Sequence, residues 1–90
     1  MASSNDTIQL TGRGAVNSQN LRELMEERGG KINNLPRPER LTFLLYAGTG
    51  RQTKVGTLAG KVSRRMRVRK PSVERRISEL IKRGNFRIVK

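Results

Sequence analysis

Apolar side chains recur at three- and four-residue steps through the C-terminal half of the chain, and that spacing predicts two helices. Val55, Leu58, Ala59 and Val62 mark the first, with Thr53 placed to cap it. Val73, Ile77, Leu80 and Ile81 mark the second, a core-facing stripe on a helix over 71–83 that Pro71 opens. Gly84-Asn85 reads as its stop. Phe86-Arg87-Ile88-Val89-Lys90 then alternates like a strand, with Phe86 and Ile88 on one face.

The N-terminal half is patterned less clearly. Residues 1 to about 7 are polar and read as frayed. Ile8-Gln9-Leu10 fits a short strand ended by a turn at Thr11-Gly12-Arg13-Gly14. A helix is expected to begin near Asn17 or Asn20, where Asn20 and Glu23 have capping-box spacing, and to stop at Gly29-Gly30. Its apolar residues, Val16, Leu21, Leu24 and Met25, form a narrow stripe suited to peripheral packing or to a partner subunit. Lys31 to Arg37 reads as a loop. Pro38 fits the first position of a further helix, and Leu41, Phe43, Leu44, Leu45, Tyr46 and Ala47 make it apolar nearly all round. It is the expected centre of the core, ended by Gly48-Thr49-Gly50. Ninety residues imply one compact domain, over 17–90, behind a flexible or short-strand segment over 1–16.

Charge changes this picture. Of 20 Lys and Arg, residues 51–90 hold fourteen against two acidic residues, whereas residues 1–50 hold six against five. So lopsided a field implies a polyanionic partner on one side of the molecule. A merely solvated basic face is the alternative. The chain has no cysteine and no histidine, which excludes disulfide scaffolds, zinc fingers and imidazole chemistry. The longest apolar run, Phe43 to Ala47, is far too short for a membrane span, so a soluble intracellular protein is expected.

From Thr57 onward the chain resembles a winged helix-turn-helix domain. The resemblance rests on Leu58-Ala59 and Val62 in a supporting helix, on Val68-Arg69-Lys70-Pro71-Ser72-Val73 at the turn, and on Ile77, Leu80 and Ile81 in a recognition helix. With 38–47 as first helix it covers about residues 38–90. It implies a mostly α (α+β) fold: a three-helix core, a peripheral N-terminal helix and a short C-terminal strand. Two departures stand out. The family usually places about one glycine between the supporting helix and the turn valine, whereas Ser63 to Arg67 intervene here, about one extra helical turn. Either the supporting helix is longer or the turn is a loop. One strand follows the recognition helix, so no two-stranded wing is expected there. That strand is expected to pair with Ile8-Gln9-Leu10 or with the segment around Arg51 to Thr53.

Such domains place the second helix in the major groove. If the apolar stripe faces the core, the opposite side carries Ser72, Arg75, Glu79 and Lys82, with Arg76 at the flank. Arg75 is the candidate for a base edge, since a guanidinium can donate two bonds to guanine. An ion pair between Arg75 and Glu79 is the structural alternative. Ser72 suits a base or a phosphate. Arg64, Arg65, Arg67, Arg69 and Lys70 read as phosphate clamps, or as a basic loop without a partner. Arg87 and Lys90 also lie within reach of a nucleic-acid backbone.

Other chemistries find little support. Three aromatic side chains are too few for a base-stacking platform. Gly48 to Lys54 lacks the Walker spacing and reads as a helix terminator. Glu23, Glu26 and Glu27 form one acidic face with no opposing cluster, so no enzyme and no cofactor is expected. The leading expectation is a double-stranded DNA-binding transcriptional regulator, dimeric if the helix over 17–28 makes a subunit contact. An RNA-binding or sequence-independent packaging protein, viral or cellular, and a module that binds an acidic protein partner are the other two classes.

Overall fold

The computed structural model describes residues 2–48 and 52–90. Four α-helices and a small three-stranded antiparallel sheet follow in the order β1 (Thr7–Leu10), α1 (Gly12–Glu27), α2 (Arg37–Ala47), β2 (Thr53–Lys54), α3 (Val55–Met66), α4 (Lys70–Lys82) and β3 (Phe86–Val89). A short 3-10 turn, Ile32–Asn34, lies inside the expected loop before α2.

The sheet order is β2-β1-β3. β1 is central: Ile8 pairs with Thr53 on one side and with Ile88 on the other. The C-terminal strand therefore pairs with Ile8-Gln9-Leu10, and the segment ending at Thr53 takes the far side of the same strand. Of the second expected partner, Arg51 lies outside the described residues.

Ile8, Leu45, Val55, Leu58, Ala59, Val62, Val73, Ile77, Leu80 and Phe86 pack into one buried cluster with Tyr46. The two stripes with helical spacing thus supply most of the core, as their periodicity predicts. Ile81 is only half-buried at its margin. Phe86 is buried, but Ile88, two residues on, remains 39% exposed beside an open hollow that it lines with Ala2 and Ile81. The Tyr46 and Phe86 rings lie 5.8 Å apart, tilted by 31°. Burial pushes the Tyr46 hydroxyl above its usual value, and a hydrogen bond from Asn17 and the charges of Arg76 and Arg83 partly offset this.

Several expectations are corrected. α1 begins at Gly12, not at Asn17 or Asn20, because Thr11 is its cap: the Thr11 hydroxyl accepts from Gly14 N at 3.1 Å. The Thr11-Gly12-Arg13-Gly14 stretch is a helix start, so the segment expected over 1–16 holds the short strand β1 and also the first residues of α1. The described residues before β1 are tied down rather than frayed. Val55 N donates to Asp6 O and Gly56 N to Ser4 O, both at 2.9 Å, so a neighbouring segment satisfies the N–H groups that open α3. That is why α3 needs no side-chain cap. Thr53, expected in that role, is a residue of β2, and Lys54 holds the cap position.

α2 is not the centre of the core. Only Leu45 and Tyr46 are buried, Phe43 is half-buried and Ala47 is exposed. α2 is apolar nearly all round because it lies between α1 and α3 and meets both. It begins at Arg37, one residue before Pro38. Gly48 caps its end, with N–H to Leu44 O at 3.0 Å; the rest of the Gly48-Thr49-Gly50 stop lies outside the described residues.

Candidate nucleic-acid interface

α3 runs to Met66, so the extra residues before Val68 lengthen the supporting helix by a turn. Arg64 and Arg65 sit in its last turn, at the negative end of the helix dipole, where cations are favoured. Arg67 then stops the helix in a left-handed conformation, φ 55° and ψ 43°. Val68 N donates back to Ser63 O at 3.1 Å, and the half-buried Val68 side chain packs against the core. Glycine usually occupies such a stop, since a side chain there costs about 1–2 kcal/mol. The other described residues with positive φ are all glycines: Gly29, Gly30 and Gly84.

Three residues, 67–69, separate α3 from α4. Arg69 is its cap residue and Lys70 its first residue, so both cations stand at the positive end of its dipole. No side chain caps this end and its first turn holds no acid. Each cation at the positive end of a helix gives up roughly 0.3–1 kcal/mol, which an anion bound beside it would return. Arg64, Arg65, Arg67, Arg69 and Lys70 are all exposed. Among the described residues none of their side chains has an ion pair or hydrogen bond, and the single ion pair found there joins Arg76 to Glu79.

Val73, Ile77 and Leu80 turn inward, leaving Ser72, Arg75, Glu79 and Lys82 exposed on the outer side of α4. Arg75 and Glu79 border two hollows at once. One, about 320 Å³, lies toward α2 and is floored by Leu41, Met66 and Val68. The other, about 470 Å³, lies toward β3 and contains Ile81 and Ile88. The outer face of α4 is therefore a ridge between two depressions.

The expected flank residue Arg76 is differently placed from its neighbours. Its side chain is 30% exposed and Nη2 donates to Thr42 Oγ1 in α2 at 3.0 Å. Nη1 lies 3.4 Å from Glu79 Oε2, so the acid pairs with Arg76 and not with Arg75. Arg87, on β3, donates to Gln9 Oε1 at 2.9 Å, while Lys90 is exposed. Sequence reasoning missed Arg37, which lines the first hollow together with Arg75 and Arg76. The available signal was an arginine at the first position of a helix, where the dipole gives it no advantage.

Among the described residues no group of three or more acidic, cysteine or histidine side chains could hold a metal ion, and no helix is long and apolar enough to cross a membrane. Comparison with protein-family models, with curated proteins and with solved structures gives no match, so the reading of this surface rests on its own residues.

Proposed function

We propose that the chain is a duplex-DNA-binding protein with a winged-helix-like arrangement, acting as a transcriptional regulator. α2, α3 and α4 stand for the three helices of that arrangement, and α4 for the recognition helix. β2 and β3 supply two strands of its sheet. The third strand, β1, comes from the N-terminal side instead of a hairpin after α4.

The observation that carries this reading is the run of five exposed cations across the α3–α4 turn, unpaired among the described residues, two of them at a helix end where they oppose the dipole. Polyanion contact explains an arrangement that costs the isolated fold stability. Duplex is favoured because the α4 ridge is a single exposed helix carrying Ser72, Arg75 and Lys82, a shape that a major groove accepts. Sequence-independent packaging, of DNA or RNA, is the second reading. It is favoured by the balance of unpaired cations among the described residues, five on the turn against two, Arg75 and Lys82, on the ridge.

Titration of duplex DNA, duplex RNA and single strands across salt tests the proposal. About six phosphate contacts give a slope of log K against log salt near −5 on duplex DNA. Selection from a random duplex pool should enrich a preferred sequence, and no enrichment would leave packaging. Arg75→Ala should relax sequence preference, whereas Arg65→Ala should weaken all sequences alike and flatten the slope by about one. Identical behaviour of the two variants sinks the recognition-helix assignment. No salt-dependent binding to any nucleic acid would leave only an acidic protein partner.

A further inference from the structure

We infer that Arg67 is kept at the left-handed stop of α3 as a phosphodiester-contacting group, held there against the stability of the fold. The inference rests on the nucleic-acid-binding reading above.

Gly29, Gly30 and Gly84, with φ of 94°, 75° and 80°, occupy the other positive-φ positions among the described residues, and Arg67 is the exception. Arginine has a Cβ that this conformation crowds, and glycine does not. A fold-based reason for arginine would require its side chain to hold something. It is exposed, and among the described residues it has neither a hydrogen bond nor an ion pair. The negative end of α3 does favour a cation, but Arg64 and Arg65 already occupy that last turn. A third positive charge beside them adds repulsion.

What the position does offer is a fixed origin for the side chain. The N–H groups of Arg67 and Val68 both return to Ser63 O, and Val68 is packed against the core. The backbone beneath the guanidinium is thereby set before any ligand arrives, which lowers the ordering cost of binding. Arg67 lies between Arg65 at the end of α3 and Arg69 at the start of α4, at the junction of the two helices. A guanidinium there can donate two parallel bonds to phosphate oxygens, which an ammonium cannot match.

The test compares Arg67→Gly and Arg67→Lys in the full chain, reading thermal stability and binding to a mixed-sequence DNA duplex across salt. Arg67→Gly is expected to raise Tm by roughly 4–8 °C. The same variant should lose on the order of tenfold in affinity at low salt, and its salt slope should become shallower by about 0.9. Arg67→Lys should keep the wild-type Tm and slope while binding more weakly. A higher Tm with unchanged binding by Arg67→Gly would overturn the inference and leave the proposed function standing. A lower Tm in Arg67→Gly would overturn it by removing its premise. Wild-type protein that binds no duplex in a salt-dependent way overturns both.

Discussion

Asn17 in α1 donates its side-chain amide to the side-chain carbonyl of Asn85, the last residue before β3. Asn85 is only 4% exposed, and its backbone carbonyl accepts from Thr11 N at 3.1 Å. The first helix is thus fastened beside the end of α4 by polar contacts to a buried asparagine. Removing one partner strands the other. Asn17→Ala is expected to cost about 1–3 kcal/mol in urea denaturation. The double variant Asn17→Ala, Asn85→Ala should cost less than the two single changes added together. Simple additivity would show that the pair is not coupled.

Gly14 approaches the same carbonyl even more closely. A Cβ built on Gly14 collides with the Asn85 backbone oxygen, and a backbone atom cannot swing aside. Alanine normally improves a helix over glycine by about 0.5–1 kcal/mol. At Gly14 the sign should reverse, with a loss of roughly 1–3 kcal/mol from the forced shift. Gly60 in α3 is the control, since a Cβ there meets nothing within 4 Å. Gly60→Ala should gain the ordinary increment. Chemical denaturation of both variants checks the reversal.

These contacts explain why α1 was half legible in the sequence. Periodicity finds elements that bury large apolar side chains, and it found α3 and α4 because Val55, Leu58, Val62, Val73, Ile77 and Leu80 do so. α1 docks through Gly14 and Ser18, its buried residues, with Asn17 beside them. Small and polar side chains permit close approach but add nothing to a hydrophobic stripe. The expected narrow stripe holds in part: Leu21 packs against the core and Leu24 and Met25 are half-buried, whereas Val16 is 61% exposed. The candidate site divides the same way. The cations of the turn and Arg75 could be placed from spacing and charge. That Arg76 is engaged by Thr42 and that Arg37 lines the first hollow depend on how residues of α2 and α4 meet in space, which spacing along one helix cannot tell.

Tyr46 gives a pH prediction whose sign follows from its burial. Its hydroxyl titrates above the ordinary value of 10.0 because burial disfavours the phenolate, despite the opposing pull of Asn17, Arg76 and Arg83. The folded state then keeps its proton where the unfolded chain has begun to lose one. Stability is fully present below pH 10 and falls as pH rises through that value toward the raised folded pKa. As the chain has one tyrosine, ultraviolet absorbance of the phenolate reports this group alone. Tyr46→Phe should remove that part of the alkaline loss. An unchanged alkaline profile in the variant would assign the loss elsewhere.

Arg76 separates holding the fold from binding a ligand. The Thr42 hydroxyl donates to Pro38 O at 2.9 Å and accepts from Arg76 Nη2 at 3.0 Å, so one oxygen joins the first turn of α2 to α4. The contact with Glu79 is weaker: at 3.4 Å, and with the Glu79 side chain 48% exposed, water screens most of its value. Arg76→Ala is therefore expected to destabilise by about 1–2 kcal/mol, mostly through the lost tie to Thr42 and lost packing of the side chain. Glu79→Gln should change stability by less than about 0.5 kcal/mol. In a duplex titration Arg76→Ala should leave the salt slope near wild type, because its guanidinium already has partners within the protein. A slope flattened by about one, as expected for Arg65→Ala, would place Arg76 on a phosphate after all.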